Sequence, residues 1–408
     1  MNAFLEALSI ALATIWSNKL RSFMTVLGNI VAVTSIIAVV ALIRGMDAKV
    51  QDVIVSEAGA NAFVVERVGV VTDPEEEEKL RRSNPLITLD DARAIERFSP
   101  VVDAVMAQAQ RRGEVSYRDK SLESVMIQGV TEDYLWFATF DAERGRLVTG
   151  SEISRNRPVA LLGWGTADRL FGDANPLEKT IKIAGAHFRV VGVSEKKGSI
   201  FGQSQDEFAV IPYGAYLKQF GARQSLSLMV RPKDPALLRQ AMDDATVALR
   251  IHRRLKPKEK DNFGLFTSDT LLGIWRAATN GIFAVLIGVV ALSLVVGGIV
   301  IMNIMLMVVS ERTREIGLRK ALGARRRVIL WQILTEAVTL STAGGVAGTL
   351  LGFLAALTVS KFTPLPASVE PWSVALGVLI TAVVGLFFGL YPAMRAASLD
   401  PIEALRKE

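Results

Sequence analysis

The chain has no cysteine, which excludes disulfides, thiolate metal sites and thiol nucleophiles and fits an oxidising compartment. Histidine is nearly absent as well. His187 and His252 are the only two, and neither stands near an HExxH pattern or a nucleophile, so both read as surface or packing residues. No GxxxxGK[ST] loop occurs, and the glycines of Gly163-Trp164-Gly165 and Gly198 to Gly202 are too sparse to cradle phosphates. Catalytic residues, a metal site and a resident cofactor are therefore not expected. The most telling scarcity is local: charge vanishes from long stretches.

Ala277 to Ser310 carries no charge, and Val328 to Ser360 holds a single ionisable group, Glu336. Met24 to Ile43 and Pro371 to Met394 are charge-free too. Each is long enough to cross a bilayer core, which takes about 20 apolar residues. Half the residues are hydrophobic, and the mean hydropathy of +0.33 points the same way. The net charge of +6 sits mostly in Lys and Arg flanking these spans, so nucleic acid is not an expected partner. The implied order is an amphipathic helix over 1–23, spans at 24–43, 281–310, 328–360 and 373–394, and a hydrophilic region at 44–280. A connector at 311–327, a short loop at 361–372 and a tail at 395–408 complete it.

Residues 24–43 read as a retained helix, since no small-x-small cleavage site precedes Arg44. Ahead of them, Phe4, Leu8, Leu12, Ile15, Trp16, Leu20 and Phe23 recur at helical spacing. Such a helix can lie in the membrane interface, with Lys19 and Arg21 at lipid phosphates, or pack on the bundle. Seven of the residues from Glu311 to Arg327 are Lys or Arg, whereas the loop Lys361 to Glu370 has one. This asymmetry places the connector and both termini in the cytoplasm of a bacterial inner membrane and the 44–280 domain outside.

The outside domain shows two textures. NAFVVERVGV, VVDAVMAQAQ and SLESVMIQGV read as strands, and Thr88 with Asp91 opens a helix in capping-box fashion. DPEEEEKLRRSNP has no apolar period and reads as a solvated loop. RPVALLG, TIKIAG, HFRVVGV and EFAVIPY then give short strands among turns. After Tyr213 the first texture returns, with a strand in SLSLMVRP, a helix from Pro235 to about His252 and a strand in NFGLFTS. Two βαβ-type halves, 44–130 and 214–280, would thus enclose a β-rich insert at 131–213.

The connector SERTREIGLRKALG favours a helix. Glu315 and Arg319 are one turn apart, as are Leu318 and Leu322, giving internal support and an apolar ridge. Gly317 would let a partner approach closely, and Gly323 is a natural C-terminal stop. Arg325, Arg326 and Arg327 suit an anchor on lipid phosphates. Glu336 lies about 12 Å into its helix, within reach of connector arginines, and reads as a structural ion pair. Gly344, Gly348 and Gly352, and Gly385 and Gly389, recur every fourth residue and make smooth faces for helix packing.

SNKLRSFMTVLGNIVAVTSIIAVVAL, ERTREIGLRKALGA, GLYPAMRAASLDPIEALRKE and ADRLFGDANPLEKTIKIAGAHFRVVGVSEKKGSIFGQSQDEFAVIPY resemble the MacB-type permeases of ABC transporters over the whole chain. The resemblance implies four transmembrane helices, one plus three, and an outside α/β domain split into a porter-like part and a Sabre-like insert. It also implies a coupling helix, contributed here by Glu311, Arg312, Glu315, Gly317, Leu318, Arg319, Lys320, Leu322 and Gly323, that seats in a cytoplasmic ATPase. ATP and Mg would be bound by that separate ATPase, because the chain begins 23 residues before its first span, whereas the MacB exporter carries its ATPase fused. A homodimer or a paralogous permease partner, a periplasmic adaptor with an outer-membrane duct, and membrane lipid complete the implied partners. Efflux of a hydrophobic compound, peptide or lipid-linked cargo is the expected function. The alternatives are a signalling permease that activates a cell-wall hydrolase, of the FtsX type, and a lipoprotein-releasing subunit of the LolC/LolE type. One departure is Glu178, where the family usually has glycine in NPxGK.

Because no native cysteine interferes, orientation can be read by labelling. Gly198→Cys should react with an impermeant maleimide in intact spheroplasts, and Ala324→Cys only after lysis. The reverse pattern would overturn the topology.

Overall fold

The computed structural model describes residues 19–58, 61–200, 203–363, 365 and 367–406. The amphipathic helix expected over 1–23 falls outside them as far as Asn18. The chain forms two compact units, Met1–Ala48 with Ala277–Glu408, and Lys49–Arg276.

Helix α1 (Lys19–Ala58) comes first. The outer unit then runs β1 (Phe63–Glu66), α2 (Pro74–Ser83), α3 (Leu89–Phe98), β2 (Val102–Tyr117), β3 (Lys120–Val130) and α4 (Tyr134–Phe137). Next come β4 (Ala142–Gly145), α5 (Gly150–Ser154), β5 (Val159–Leu162), α6 (Trp164–Phe171), β6 (Thr180–Ile183) and β7 (Ala186–Ser194). The short β8 (Ser199–Ile200) and β9 (Gln203–Ser204), β10 (Phe208–Pro212), α7 (Tyr213–Phe220), β11 (Ser227–Pro232), α8 (Leu238–His252) and β12 (Gly264–Thr267) complete it. Helices α9 (Ser268–Glu311), α10 (Thr313–Ala321), α11 (Arg326–Phe362), α12 (Pro371–Ser398) and α13 (Pro401–Arg406) follow.

One mixed sheet, ordered β12-β1-β11-β2-β3-β10-β5-β7-β4 with β6 beside β2 and β7, carries the outer unit. The flanking halves are interleaved. β1 and β2 are both antiparallel to β11, which lies between them, and β11 and β12 are both antiparallel to β1. Each half is thus a split βαβ unit whose gap is filled by a strand of the other. Residues 131–213 extend the same sheet through the parallel β3–β10 pairing. Ala92 and Ile95 of α3 and Ala241, Ala245 and Leu249 of α8 bury one face together with Phe63, Val65 and Val105.

The acidic stretch after Val71 is a helix, not the loop its composition suggests. Pro74 opens α2, Asp73 accepts a hydrogen bond from the Glu75 amide at 3.0 Å, and acids fill the first turn while Arg81 and Arg82 fill the last. Glu77 pairs with Arg81 at 2.7 Å, and Glu78 with Arg82. Capping, the helix dipole and i,i+4 pairs replace the missing apolar face. The Thr88 capping box is present, with the Thr88 amide donating to Asp91 at 2.8 Å. Glu178 takes a positive φ of 62°, a backbone shape that costs a non-glycine residue about 1 kcal/mol, and pairs with Arg189 at 2.9 Å on the surface.

Among the described residues, four helices are long and apolar enough to cross a membrane: Leu27–Gln51, Ser268–Glu311, Arg326–Phe362 and Pro371–Ser398. Glycine sets their spacing. A Cβ on Gly385 would stand 2.6 Å from Ser341 Cβ, and one on Gly389 2.5 Å from Ala337 Cβ, so both admit α11 to α12. Gly348 and Gly352 face α1, where a Cβ would stand 2.8 Å from the Ile30 carbonyl and 2.9 Å from Ile37 Cβ. Gly344 is buried in the same helix. A polar chain adds to these contacts: Asn29 Nδ2 donates to Ser341 Oγ at 2.7 Å, and Ser341 Oγ donates to the Thr381 carbonyl at 2.5 Å.

Glu152 supplies a pH test for the outer unit. Arg146 grips it with two hydrogen bonds of 2.7 and 2.8 Å. The Arg146 hydrogen bonds and those from Thr149 outweigh burial and hold its carboxyl at about 2, against about 4.3 in an unfolded chain. A depressed folded pKa contributes stability above the unfolded pKa, lost as pH falls through the folded one. Glu152→Gln should therefore lower the unfolding midpoint of the full-length protein at neutral pH, and the gap from wild type should close between about pH 5 and about pH 2. A gap that does not change with pH would refute this account.

Candidate functional site

The connector forms α10, and its sequence explains its bounds. The chain breaks from α9 at Arg312, which stands at the N-cap position of α10. At the other end Gly323 takes a φ of 97°, and its amide donates to the Lys320 carbonyl at 3.0 Å, so the glycine ends the helix as its freedom allows. Glu315 and Arg319 pair across one turn at 2.6 Å. Arg319 also donates to Gln332 Oε1 of α11 at 2.8 Å.

Three further contacts fasten this helix to its neighbours. Arg312 Nη1 reaches Glu336 Oε1 at 3.4 Å, and Glu336 is only 7% exposed. The intramembrane carboxylate is thus held in an ion pair to the connector, with Arg312 one-third exposed at the other end. Lys320 Nζ donates to the carbonyls of Ala397 and Leu399, each at 2.6 Å, capping the C-terminal end of α12. Burial, with Arg326 beside it, lowers the Lys320 pKa, and Asp400 opposes that shift.

The third contact corrects an expectation. Gly317 does make room for a close approach, but the visitor is this chain's own α13: a Cβ there would stand 2.6 Å from Ala404 Cβ. The α13 turn is itself capped by Asp400, which accepts from the Ile402 amide at 2.8 Å. Neither the α13 contact nor the Lys320 cap was legible in the connector's own spacing.

The opposite face stays open. Leu318 is 52% and Leu322 81% exposed, and Ile402 of α13 is 76% exposed. Glu311, Glu315 and Arg319 are exposed, as are Arg325, Arg326 and Arg327. The three arginines sit at the N-terminal end of α11, where the first turn has no acid. The helix dipole and the guanidinium groups there favour the same partner, an anion. No group of His, Cys, Asp or Glu residues able to hold a metal occurs among the described residues.

A polytopic membrane protein results, with a large α/β domain between its first and second spans and a short helix between its second and third. Two family models divide the chain accordingly. The MacB-like periplasmic core domain matches residues 22–248, more than half of the chain, and the FtsX-like permease C-terminal domain matches residues 287–401. The chain belongs to this family of MacB-like and FtsX-like ABC transporter permeases.

Similar proteins include the macrolide export ATP-binding/permease protein MacB of Bdellovibrio bacteriovorus, 34% identical over 99% of this chain and 62% of that protein. The MacB of Chlorobaculum tepidum is 35% identical over 98% of this chain and 61% of its own length. The chain thus spans about three-fifths of these relatives. The periplasmic region of MacB from Actinobacillus actinomycetemcomitans superposes with a TM-score of 0.45 at 21% identity, over 54% of this chain and 95% of that one. The extracellular domain of the ABC-type transporter YknZ from Gram-positive bacteria gives 0.42 at 17% identity, over 51% and 100%.

The α10–α13 contact is testable. Gly317→Val adds bulk against Ala404 and should destabilise the packing by about 1–3 kcal/mol, seen as faster amide exchange across residues 401–406. Unchanged exchange there would contradict the contact.

Proposed function

We propose that the chain is the membrane component of an exporter in which a cytoplasmic ATPase drives movement of the outside domain. The observation that carries this reading is the two-sided character of α10. One side is fastened to α11, α12 and α13 through Glu336, Gln332, the α12 carbonyls and Ala404. The other presents Leu318 and Leu322 to solvent. A helix exposed only as a lipid anchor has no use for a protruding apolar ridge facing away from its own bundle, whereas a docking helix does. ATP and Mg belong to the ATPase in this proposal.

Export of a hydrophobic compound, peptide or lipid-linked cargo is favoured by the relatives, which are macrolide exporters by name. The spans support a path outside the bilayer. Asn29 Nδ2 bonds Ser341 and Gln332 Oε1 accepts from Arg319, so these polar groups tie helices together, which favours packing over a conduit. Cargo would be taken up and expelled between outside domains, with the helices as levers. A second copy of the chain is part of the proposal. In its most apolar window α9 is 17% buried, against 39% for α1, so it has the most surface left for a partner. A periplasmic adaptor, an outer-membrane duct and lipid held by the Arg325 to Arg327 cluster complete the assembly.

The experiment changes the ridge and leaves the fastenings. Leu318→Glu with Leu322→Glu, both at exposed positions, should abolish ATP hydrolysis in complexes isolated through this chain, while the membrane subunits still assemble. Hydrolysis that survives both changes would rule out α10 as the seat of the ATPase.

A further inference from the structure

The two crossover helices, α3 and α8, cover one face of the outer sheet. The other face is concave and bounds a cavity of about 830 Å³, within the range of small-molecule sites. Its floor is apolar. Val64 stands opposite Met229 and Phe266, and Met229 opposite Met106, in one row across four strands. Beside that row lies a polar strip. Gln110 and Gln128 are cross-strand partners, Gln108 pairs with Ser227, and Glu66 follows Val64 on the same side of β1.

Those polar groups have unusually little to do. The side chains of Gln108, Gln110 and Gln128 make no hydrogen bond among the described residues, and Glu66 receives only one, from Ser227 Oγ at 3.3 Å. Tyr134, which also lines the cavity, is 5% exposed, and its hydroxyl has no partner among the described residues.

Charge then selects the ligand. The other charged groups on the wall are engaged: Glu207 with Arg169 at 3.0 Å, Lys197 with Thr139 at 3.2 Å and over the Phe140 ring, and Arg112 with Ser124 at 3.2 Å. Glu66 alone is a half-buried carboxylate with no ion pair among the described residues. Arg81, whose charge reaches it, is committed to Glu77. A partly desolvated anion beside an apolar floor and idle amides is complementary to a cation with an apolar body.

We propose that this face binds an apolar molecule bearing a protonated amine. The amine sits against Glu66, the apolar body over Met106, Met229 and Phe266, and ligand amides or hydroxyls meet the glutamines. The inference deepens the export reading and rests on it for the ligand's fate, though not for the binding.

The test uses the full chain in phosphatidylcholine nanodiscs without any ATPase, with empty nanodiscs as reference. Dansylcadaverine, an apolar fluorophore with a primary ammonium, should bind with blue-shifted emission and more tightly than neutral dansylamide or anionic anilinonaphthalene sulfonate. Glu66→Gln, nearly isosteric, should weaken dansylcadaverine about tenfold and leave dansylamide unchanged. Gln110→Trp, at an exposed strand position where added bulk meets solvent, should weaken both by filling the groove. The proposal fails if dansylcadaverine binds no better than to empty nanodiscs, if the anion binds more tightly, or if Glu66→Gln changes nothing. Intact binding alongside ATP hydrolysis that survives the α10 changes would instead count against the export reading alone.

Discussion

The connector between the second and third spans depends on how the end of one span is closed. The last carbonyls of a helix have no partners within it, and those of α12 lie where the chain leaves the apolar phase. Lys320 reaches across from α10 and supplies the missing donors to Ala397 and Leu399. One ammonium therefore satisfies two carbonyls and fixes α10 in place. Arg312 repeats the device on the other flank by meeting Glu336. The connector is a short helix of nine residues, well under the length at which a helix holds itself together in water. Its order comes from these neighbours. A displacement of α10 must break those bonds or carry α11 and α12 with it, and close-packed helices transmit rather than absorb such strain.

Inside the apolar phase the same rule operates with other chemistry. Burial of apolar surface gives helices little reason to associate in lipid, so backbone proximity and internal hydrogen bonds must do so. Gly348 and Gly352 open α11 to α1, while Gly385 and Gly389 open α12 to α11. Asn29, Ser341 and the Thr381 carbonyl join all three helices in one buried chain of hydrogen bonds. The two side chains would be costly in lipid without these partners, which is why Asn29 and Ser341 can occupy otherwise apolar helices.

Periodicity and charge revealed whatever is local in sequence. The four spans followed from missing charge, the α3 start from Thr88 and Asp91, and the connector helix from Glu315, Arg319 and Gly323. Long-range pairing left no such trace. Gly317 meets Ala404, far along the chain, and the spacing around Gly317 says only that something comes close. Asn29 is another case, since its partner Ser341 lies on α11, 312 residues along the chain. Helix α2 was missed for the opposite reason. It buries no residue, so the apolar period used to recognise helices was absent, and its charges, in the order that suits the dipole, were the available clue.

The outer sheet's open face follows from chirality. β1-α3-β2 and β11-α8-β12 are both crossovers between parallel strands, which are right-handed in nearly all proteins. They travel in opposite directions across the sheet, from β1 outward past β11 and from β11 back past β1. Their strands also run in opposite directions, since β1 and β11 are antiparallel. Reversing both the strand direction and the direction of travel leaves a right-handed crossover on the same side, so α3 and α8 share one face. The interleaving that ties 44–130 to 214–280 therefore leaves the second face with no crossover helix. Helices α4 and α5, joined to the 131–213 segment, help bury it, through Tyr134, Phe137 and Ile153. The concavity beside them, with Glu66 and the glutamines on its wall, is what this topology leaves uncovered.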